Sequence, residues 1–224
     1  MKVRSRGLLA IALACAPAAA HARDDAQLWV TNAATARLGG NWLFSGESIV
    51  RFSGNRNGLY EIEVTSLLGY RLNRTVMVMA GYTHDPNYAP GVTMMERRAR
   101  EQIVLDNIVR IAGGALSARL RLEQRWRDGL SGTGWRFRPF ARFVLPLRQG
   151  GPALVLSHES FINLNTTRFQ TTRAHDRMRN LVAIATPVAR NATLEIGYLN
   201  QRGFVPGGAD NTDHAASLSL NFAF

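Results

Sequence analysis

Read from its residues alone, the chain predicts an all-β fold, a transmembrane up-and-down antiparallel β-barrel of ten or twelve strands. Three observations carry that prediction. Apolar and polar residues alternate from about residue 41 to the last residue, which requires different environments on the two faces of each strand. The connections between the alternating segments are short and long in turn, the rhythm of a barrel with tight turns at one rim and loops at the other. The final segment is apolar at every second position, Ala216, Leu218, Leu220, Phe222 and Phe224. A terminal phenylalanine in phase with such a strand signals outer-membrane insertion, with Leu218, Leu220, Phe222 and Phe224 as the signal.

Residues 1–22 read as a cleaved secretory signal, leaving residues 23–224 as a single barrel domain. Lys2, Arg4 and Arg6 precede an apolar run from Leu8 to Ala20, and Ala20-His21-Ala22 forms a small-x-small cleavage site. The run is shorter than a membrane-spanning helix and is broken by Pro17. A lipidated Cys15 is the rival reading, weakened because Ala12 stands where a large aliphatic residue belongs. Beyond this leader the chain has no cysteine, which suits an oxidising compartment. With 46% hydrophobic and 19% charged residues it is too apolar for a disordered chain. The net charge of +11 invites a nucleic-acid partner. Past the leader, however, there are 24 arginines, 16 acidic residues and no lysine, with no finger, helix-turn-helix or aromatic-basic module. Nucleic acid is therefore excluded as a partner.

The segments follow in order. Residues 26–37 look extended around Trp29. From Trp42, the even positions through Val50 and Phe52 oppose Ser45, Glu47 and Arg51. Tyr60, Ile62, Val64 and Leu68 oppose Glu61, Glu63, Thr65 and Arg71; Val76, Val78 and Ala80 follow in the next segment. Ile103 and Leu105 oppose Arg98, Arg100, Gln102 and Asp106. Leu116, Leu120, Leu122 and Trp126 oppose Arg119, Arg121, Glu123, Arg125 and Arg127; Trp135, Phe137 and Phe143 oppose Arg136, Arg138 and Arg142. Further strands fall at 153–164, 177–186, 192–201 and 215–224. The runs reach roughly 11–14 residues, enough for a tilted crossing of about 9–11. Trp42, Tyr60, Tyr70, Tyr82, Trp126, Trp135, Tyr198 and Phe224 fall on the apolar face near strand ends, where aromatic girdles sit. Short connections are Arg37–Asn41, Leu72–Arg74, Ala112–Gly114, Arg148–Pro152 and Pro187–Asn191. Longer ones are Ser53–Gly58, Asp85–Arg97, Asp128–Gly134, Asn165–His175 and Arg202–Asp213. The segments number eleven, but bacterial barrels have even numbers. Either residues 23–37 are no wall strand or two strands are fused, giving ten or twelve.

The motifs LGYRLN (68–73), GYTHDPNY (81–88), RLRLEQRWRDG (119–129), SHESFINLN (157–165), DRMRN (176–180) and GYLNQ (197–201) resemble a widespread proteobacterial family of outer-membrane barrels of unknown function. The resemblance covers nearly all of residues 25–224. It implies a Gram-negative outer-membrane barrel, handled by the barrel assembly machinery, and brings no activity or cofactor.

The polar face joins arginine with glutamate, as expected where strands face one another across a narrow lumen. Its expected lining is Glu47, Arg51, Glu61, Glu63, Arg119, Arg121, Glu123, Arg125, Arg136, Arg138, Arg142, Glu159, Arg177, Arg179 and Glu195. Guanidinium pairs carboxylates bidentately and stays charged when desolvated. A lumen plugged by such pairs is preferred over a porin-like, anion-selective pore. His158-Glu159-Ser160 places a base and a hydroxyl on one strand face, similar to the His-x-Ser of outer-membrane phospholipases. It is the minimum for nucleophilic catalysis. The sequence identifies no third residue to orient the histidine, and Phe161-Ile162 replaces the Asn-Gly of those enzymes. A passive role is preferred over this lipid hydrolase. The pairs His84-Asp85, His175-Asp176 and Asp213-His214 are weak metal candidates, since turn chemistry explains them equally well; neither metal nor cofactor is expected. Arg98, Arg100 and Arg127 are expected at the outer rim, where they would bind the phosphates of lipopolysaccharide.

Overall fold

A computed structural model describes residues 23–89 and 91–224. The leader expected at 1–22, with Cys15, lies outside the described residues. Eleven strands run in sequence: β1 Arg23–Gly39, β2 Trp42–Ser53, β3 Gly58–Arg71, β4 Val76–Ala89, β5 Val92–Ile111, β6 Gly114–Arg127, β7 Leu130–Pro146, β8 Ala153–Asn163, β9 Ala174–Ala189, β10 Ala192–Gly203 and β11 Asn211–Ala223. Each pairs antiparallel with its sequence neighbours, and β1 pairs with β11 to close the barrel. The all-β barrel is as the alternation requires. Among the described residues no helix is long and apolar enough to cross a membrane, which says nothing of a barrel.

The strand count corrects the expectation of ten or twelve. The first segment is a full wall strand, and closure is parallel, from Arg23 opposite Asn211 to Thr35 opposite Ala223. Parity forbids eleven strands only if every pair is antiparallel. A parallel seam removes that restriction, at the cost of slanted and slightly weaker pairing. The seam is tied at its end by the Phe224 amide to Thr35 O (2.8 Å) and the Arg37 amide to Phe224 O (3.1 Å).

Two expected loops are largely strand. Asp85–Arg97 is a hairpin whose strands run on to Ala89 and Val92, and Asp128–Gly134 tightens to a turn before Leu130. The wall is consequently taller at the loop end, and β5 reaches 20 residues. The alternating pattern there is hidden in sequence by His84, Pro86 and the Met94–Met95 pair.

Glycines sit where the wall is tightest. A Cβ on Gly81 would stand 2.0 Å from Ser66 O, and one on Gly197 2.4 Å from Val182 O. Only glycine permits this approach of neighbouring backbones. At the β5–β6 turn, Ala112 (φ 50°) and Gly113 (φ 84°) are both left-handed, the two-residue hairpin geometry that favours Asn-Gly.

Outward positions carry exposed apolar side chains around the barrel, among them Phe44, Val64, Leu68, Ile103, Leu120, Leu156, Val182, Ile196 and Leu218. Inward positions are buried, and their chemistry changes along the axis. Towards the short-turn end Leu43, Leu67, Met77 and Met79 pack with Val104, and Val155, Ala183 and Ala185 with Val144. Towards the loop end most buried side chains are charged or polar, with Trp29, Leu199 and Ala215 packed together beside them.

Candidate functional site

The charged filling is built from the inward positions of eight strands, β2 to β8 and β10. Its centre is Glu123 on β6, fully buried. One oxygen accepts from Arg136 Nε (2.8 Å) and Nη2 (2.5 Å), the other from Arg138 Nη1 (2.6 Å). Arg100 Nε on β5 lies 3.0 Å from the same carboxylate. Arg100 then reaches Glu63 through Nη2 (2.6 Å), and Arg51 and Arg98 lie 3.3 and 3.2 Å from Glu63. Arg51 also pairs with Glu61, and Arg98 with Asp85. Glu96 gathers Arg98 (2.6 Å), both Nε and Nη2 of Arg125 (2.9 Å each) and Arg127 (2.8 Å). Glu159 on β8 accepts from Arg119 (2.5 Å) and Arg138 (2.9 Å), and Arg142 pairs with Glu195.

Three inward arginines stand differently. Among the described residues Arg121, Arg177 and Arg179 contact no carboxylate. Arg121 donates to Gln102 Oε1 (2.8 Å) and Arg179 to Gln201 Oε1 (2.7 Å). Aromatic rings face Arg177 and Arg179. Trp29 is sandwiched between the guanidiniums of Arg51 (4.3 Å) and Arg179 (4.6 Å). Phe161 lies under Arg138 (4.3 Å), Arg179 (4.6 Å), Arg136 (5.2 Å) and Arg177 (5.8 Å). These are cation–π distances. Above this layer a cavity of about 430 Å³ opens at the loop end, lined by Trp29, Arg51, Arg127, Phe161, Arg177 and Arg179 among others.

The expected lining residues divide as follows. Arg51, Glu61, Glu63, Arg121, Glu123, Arg125, Arg136, Arg138, Glu159 and Glu195 are buried inside the barrel. Glu47, Arg119, Arg142, Arg177 and Arg179 are half-buried. Sequence reasoning missed Glu96, Asp85, Trp29 and Phe161 as lining residues, while Gln102 falls on the polar face as its phase predicts. Glu96 stands in phase with Arg98, Arg100 and Gln102, a signal available in the residues but obscured by reading 85–97 as loop.

Tyr60 corrects the girdle. A register shift between Arg51 and Phe52 turns both Tyr60 and Glu61 inward, and Tyr60 donates to Gln27 Oε1 (2.8 Å). Trp42, Tyr82, Trp126, Trp135, Tyr198 and Phe224 are exposed on the outside. Leu218, Leu220 and Phe222, expected as part of an insertion signal, share the outward face of β11, and Phe224 follows it, stacked on Phe222 at 6.1 Å.

The rim arginines also need correction. Arg98 and Arg100 are buried within the lumen, since their phase is that of Glu96 and Gln102, and Arg127 is drawn inward onto Glu96. These three do not form a lipid-phosphate site. Of the His/Asp pairs, His84 is exposed outside while Asp85 is buried inside, and His214 faces out to Tyr198 (2.5 Å) while Asp213 lines the cavity. Alternation separates such neighbours, so they supply no joint ligand set. Glu61, Glu63 and Asp85 do converge, but Arg51, Arg98 and Arg100 already neutralise them.

On the outer face His158 and Ser160 stand together on β8, with His158 Nε2 3.0 Å from Ser160 Oγ. The neighbouring strand adds a residue the sequence did not disclose. Asn180 is directly opposite His158 in the β8–β9 ladder, and its Oδ1 lies 2.7 Å from His158 Nδ1.

The fold and its charged lumen define a closed all-β barrel with an inside-out distribution of polarity. Residues 26–212 match the model of DUF2490, a protein of unknown function, and the chain belongs to that family. It is similar to an uncharacterized protein of Methylorubrum extorquens, 30% identical over 209 residues that cover 92% of this chain and 90% of the relative. No solved structure matches the chain.

Proposed function

We propose that the chain is a barrel of the Gram-negative outer membrane whose lumen is sealed by arginine–glutamate pairs, so that its interior is a closed filling and not an open pore. One observation carries this reading: the barrel is polar inside and apolar outside. A soluble barrel of this size would bury its apolar residues and hydrate its charges. Here Arg51, Arg100 and Glu123 are 2%, 0% and 0% exposed while Phe44, Val182 and Ile196 are 42%, 53% and 57% exposed. Exposed apolar area on that scale calls for a lipid solvent. Its partners are then outer-membrane lipid, including lipopolysaccharide, and the barrel assembly machinery that inserts it. What opening remains is the cationic mouth at Arg177 and Arg179, suited to hold a small anion without passing it. Cell fractionation with comparison of heated and unheated samples by gel mobility tests the reading. It expects membrane recovery and a heat-modifiable band. Recovery as a soluble periplasmic protein with no mobility shift overturns it.

A further inference from the structure

We propose that Ser160, His158 and Asn180 form an acyl-transfer site on the outside of the barrel, acting on the fatty-acyl esters of membrane lipids. The inference rests on the membrane reading for its substrate but on separate geometry for its chemistry. Asn180 Oδ1 can only accept a hydrogen bond, so its contact of 2.7 Å assigns the proton of His158 to Nδ1. Nε2 is left as an acceptor, 3.0 Å from Ser160 Oγ. This is a nucleophile, a general base and an orienting group in the order such catalysis needs. The elements hold it firmly. Ser160 and His158 are two apart on β8 and share its outer face, and Asn180 is fixed opposite His158 by the β8–β9 register.

The surroundings point to the substrate. Leu156, Val182 and Ile184 are exposed on the same face of β8 and β9, so the trio interrupts an apolar belt. An ionisable side chain facing acyl chains is costly and marks function. The step balances without any further cofactor. Ser160 Oγ attacks the ester carbonyl while His158 Nε2 takes its proton; the C–O bond to the lipid alcohol breaks and His158 returns the proton to that oxygen. Water then attacks the acyl-serine, giving its proton to His158, and a free fatty acid leaves as Ser160 recovers its hydrogen. Asn180 is a positioning residue and touches no substrate.

The test uses the full-length barrel in detergent, with folding checked by heat-modifiable mobility. Its reagents are a long-chain alkylsulfonyl fluoride, a short-chain nitrophenyl ester, phospholipid mixed micelles and lipopolysaccharide micelles. Expected are a covalent label on Ser160 and fatty-acid release from one lipid source, which identifies the natural ester. Ser160→Ala and His158→Ala should each lower release on the order of 10³-fold or more and abolish the label. Asn180→Ala should lower kcat while leaving KM in place, and Asn180→Asp should restore most of the loss. Folded protein that takes no label and releases no acid overturns the proposal, as does release that survives Ser160→Ala. Labelling and short-chain ester cleavage by protein found only in the soluble fraction would overturn the membrane reading and leave the site intact.

Discussion

The two ends of the lumen solve the same packing problem in different ways. At the short-turn end Leu43, Leu67, Met77 and Met79 fill the barrel with apolar side chains. At the middle and loop end Glu63, Glu96, Glu123 and Glu159 each collect two or more guanidiniums. The two fillings stabilise the barrel differently. Apolar packing stabilises in proportion to the area it buries and tolerates substitution of similar volume. Buried ion pairs contribute little net stability because desolvation offsets attraction, yet breaking one leaves an uncompensated charge. The charged end is therefore held by mutual dependence among strands β2 to β8, and the turn end by apolar contacts together with the Arg142–Glu195 pair between β7 and β10.

The sharpest way to break this comparison is to remove the hub. Among the described residues Arg136 pairs with no carboxylate but Glu123, so Glu123→Ala strands a buried guanidinium. Denaturant unfolding in detergent is expected to show a loss of about 3–5 kcal/mol. A change below about 1 kcal/mol would mean that water solvates the arginines and that the lumen is not closed. Met79→Ala at the other end is expected to cost about 2–3 kcal/mol by cavity formation. That cost should not change with salt, whereas exposed pairs such as Arg97–Asp128 lose their small contribution as salt rises.

Local geometry at the turn end offers a smaller effect of opposite sign. Ala112 adopts φ 50° beside Gly113, so Ala112→Asn is expected to raise stability by about 0.5–1 kcal/mol, read as a shift of the denaturant midpoint at constant slope. The smallest effect belongs to the loop between β10 and β11. The Val205 amide and then the Arg202 guanidinium hold the Asp210 carboxyl below the usual carboxylate range. With the folded value depressed, the loop gains stability above the unfolded value and loses it as pH falls through the folded one. The protection factor of the Val205 amide, taken against its intrinsic exchange rate at each pH, should fall below about pH 4 while those of the barrel amides hold.

The alternation made the barrel, its inward face and most of its charged lining legible before any coordinates. Period-two parity assigns a side to each residue only while the register is unbroken. The shift at Arg51–Phe52 carried Tyr60 to the inside, and no local signal marked it. The observed eleven strands differ from ten or twelve because parity presumes an antiparallel seam, and the parallel pairing of the first and last strands is invisible in sequence. For Arg98 and Arg100 parity predicts an inward side and loop position a rim, and their burial follows parity. Asn180 could not be found at all, since the register that sets it opposite His158 joins positions 22 residues apart. Trp29 and Phe161 share the inward phase of Asp25 and Glu159, which sets their rings among the guanidiniums of Arg51, Arg138 and Arg179.

The central claim is that ion pairs close the barrel, and planar-bilayer conductance tests it most directly. Purified wild-type protein is expected to insert without steady ionic current, while a Glu123→Ala variant that still shows heat-modifiable mobility should pass intermittent, anion-preferring current. Stable, ohmic channels from the wild-type protein would contradict the account.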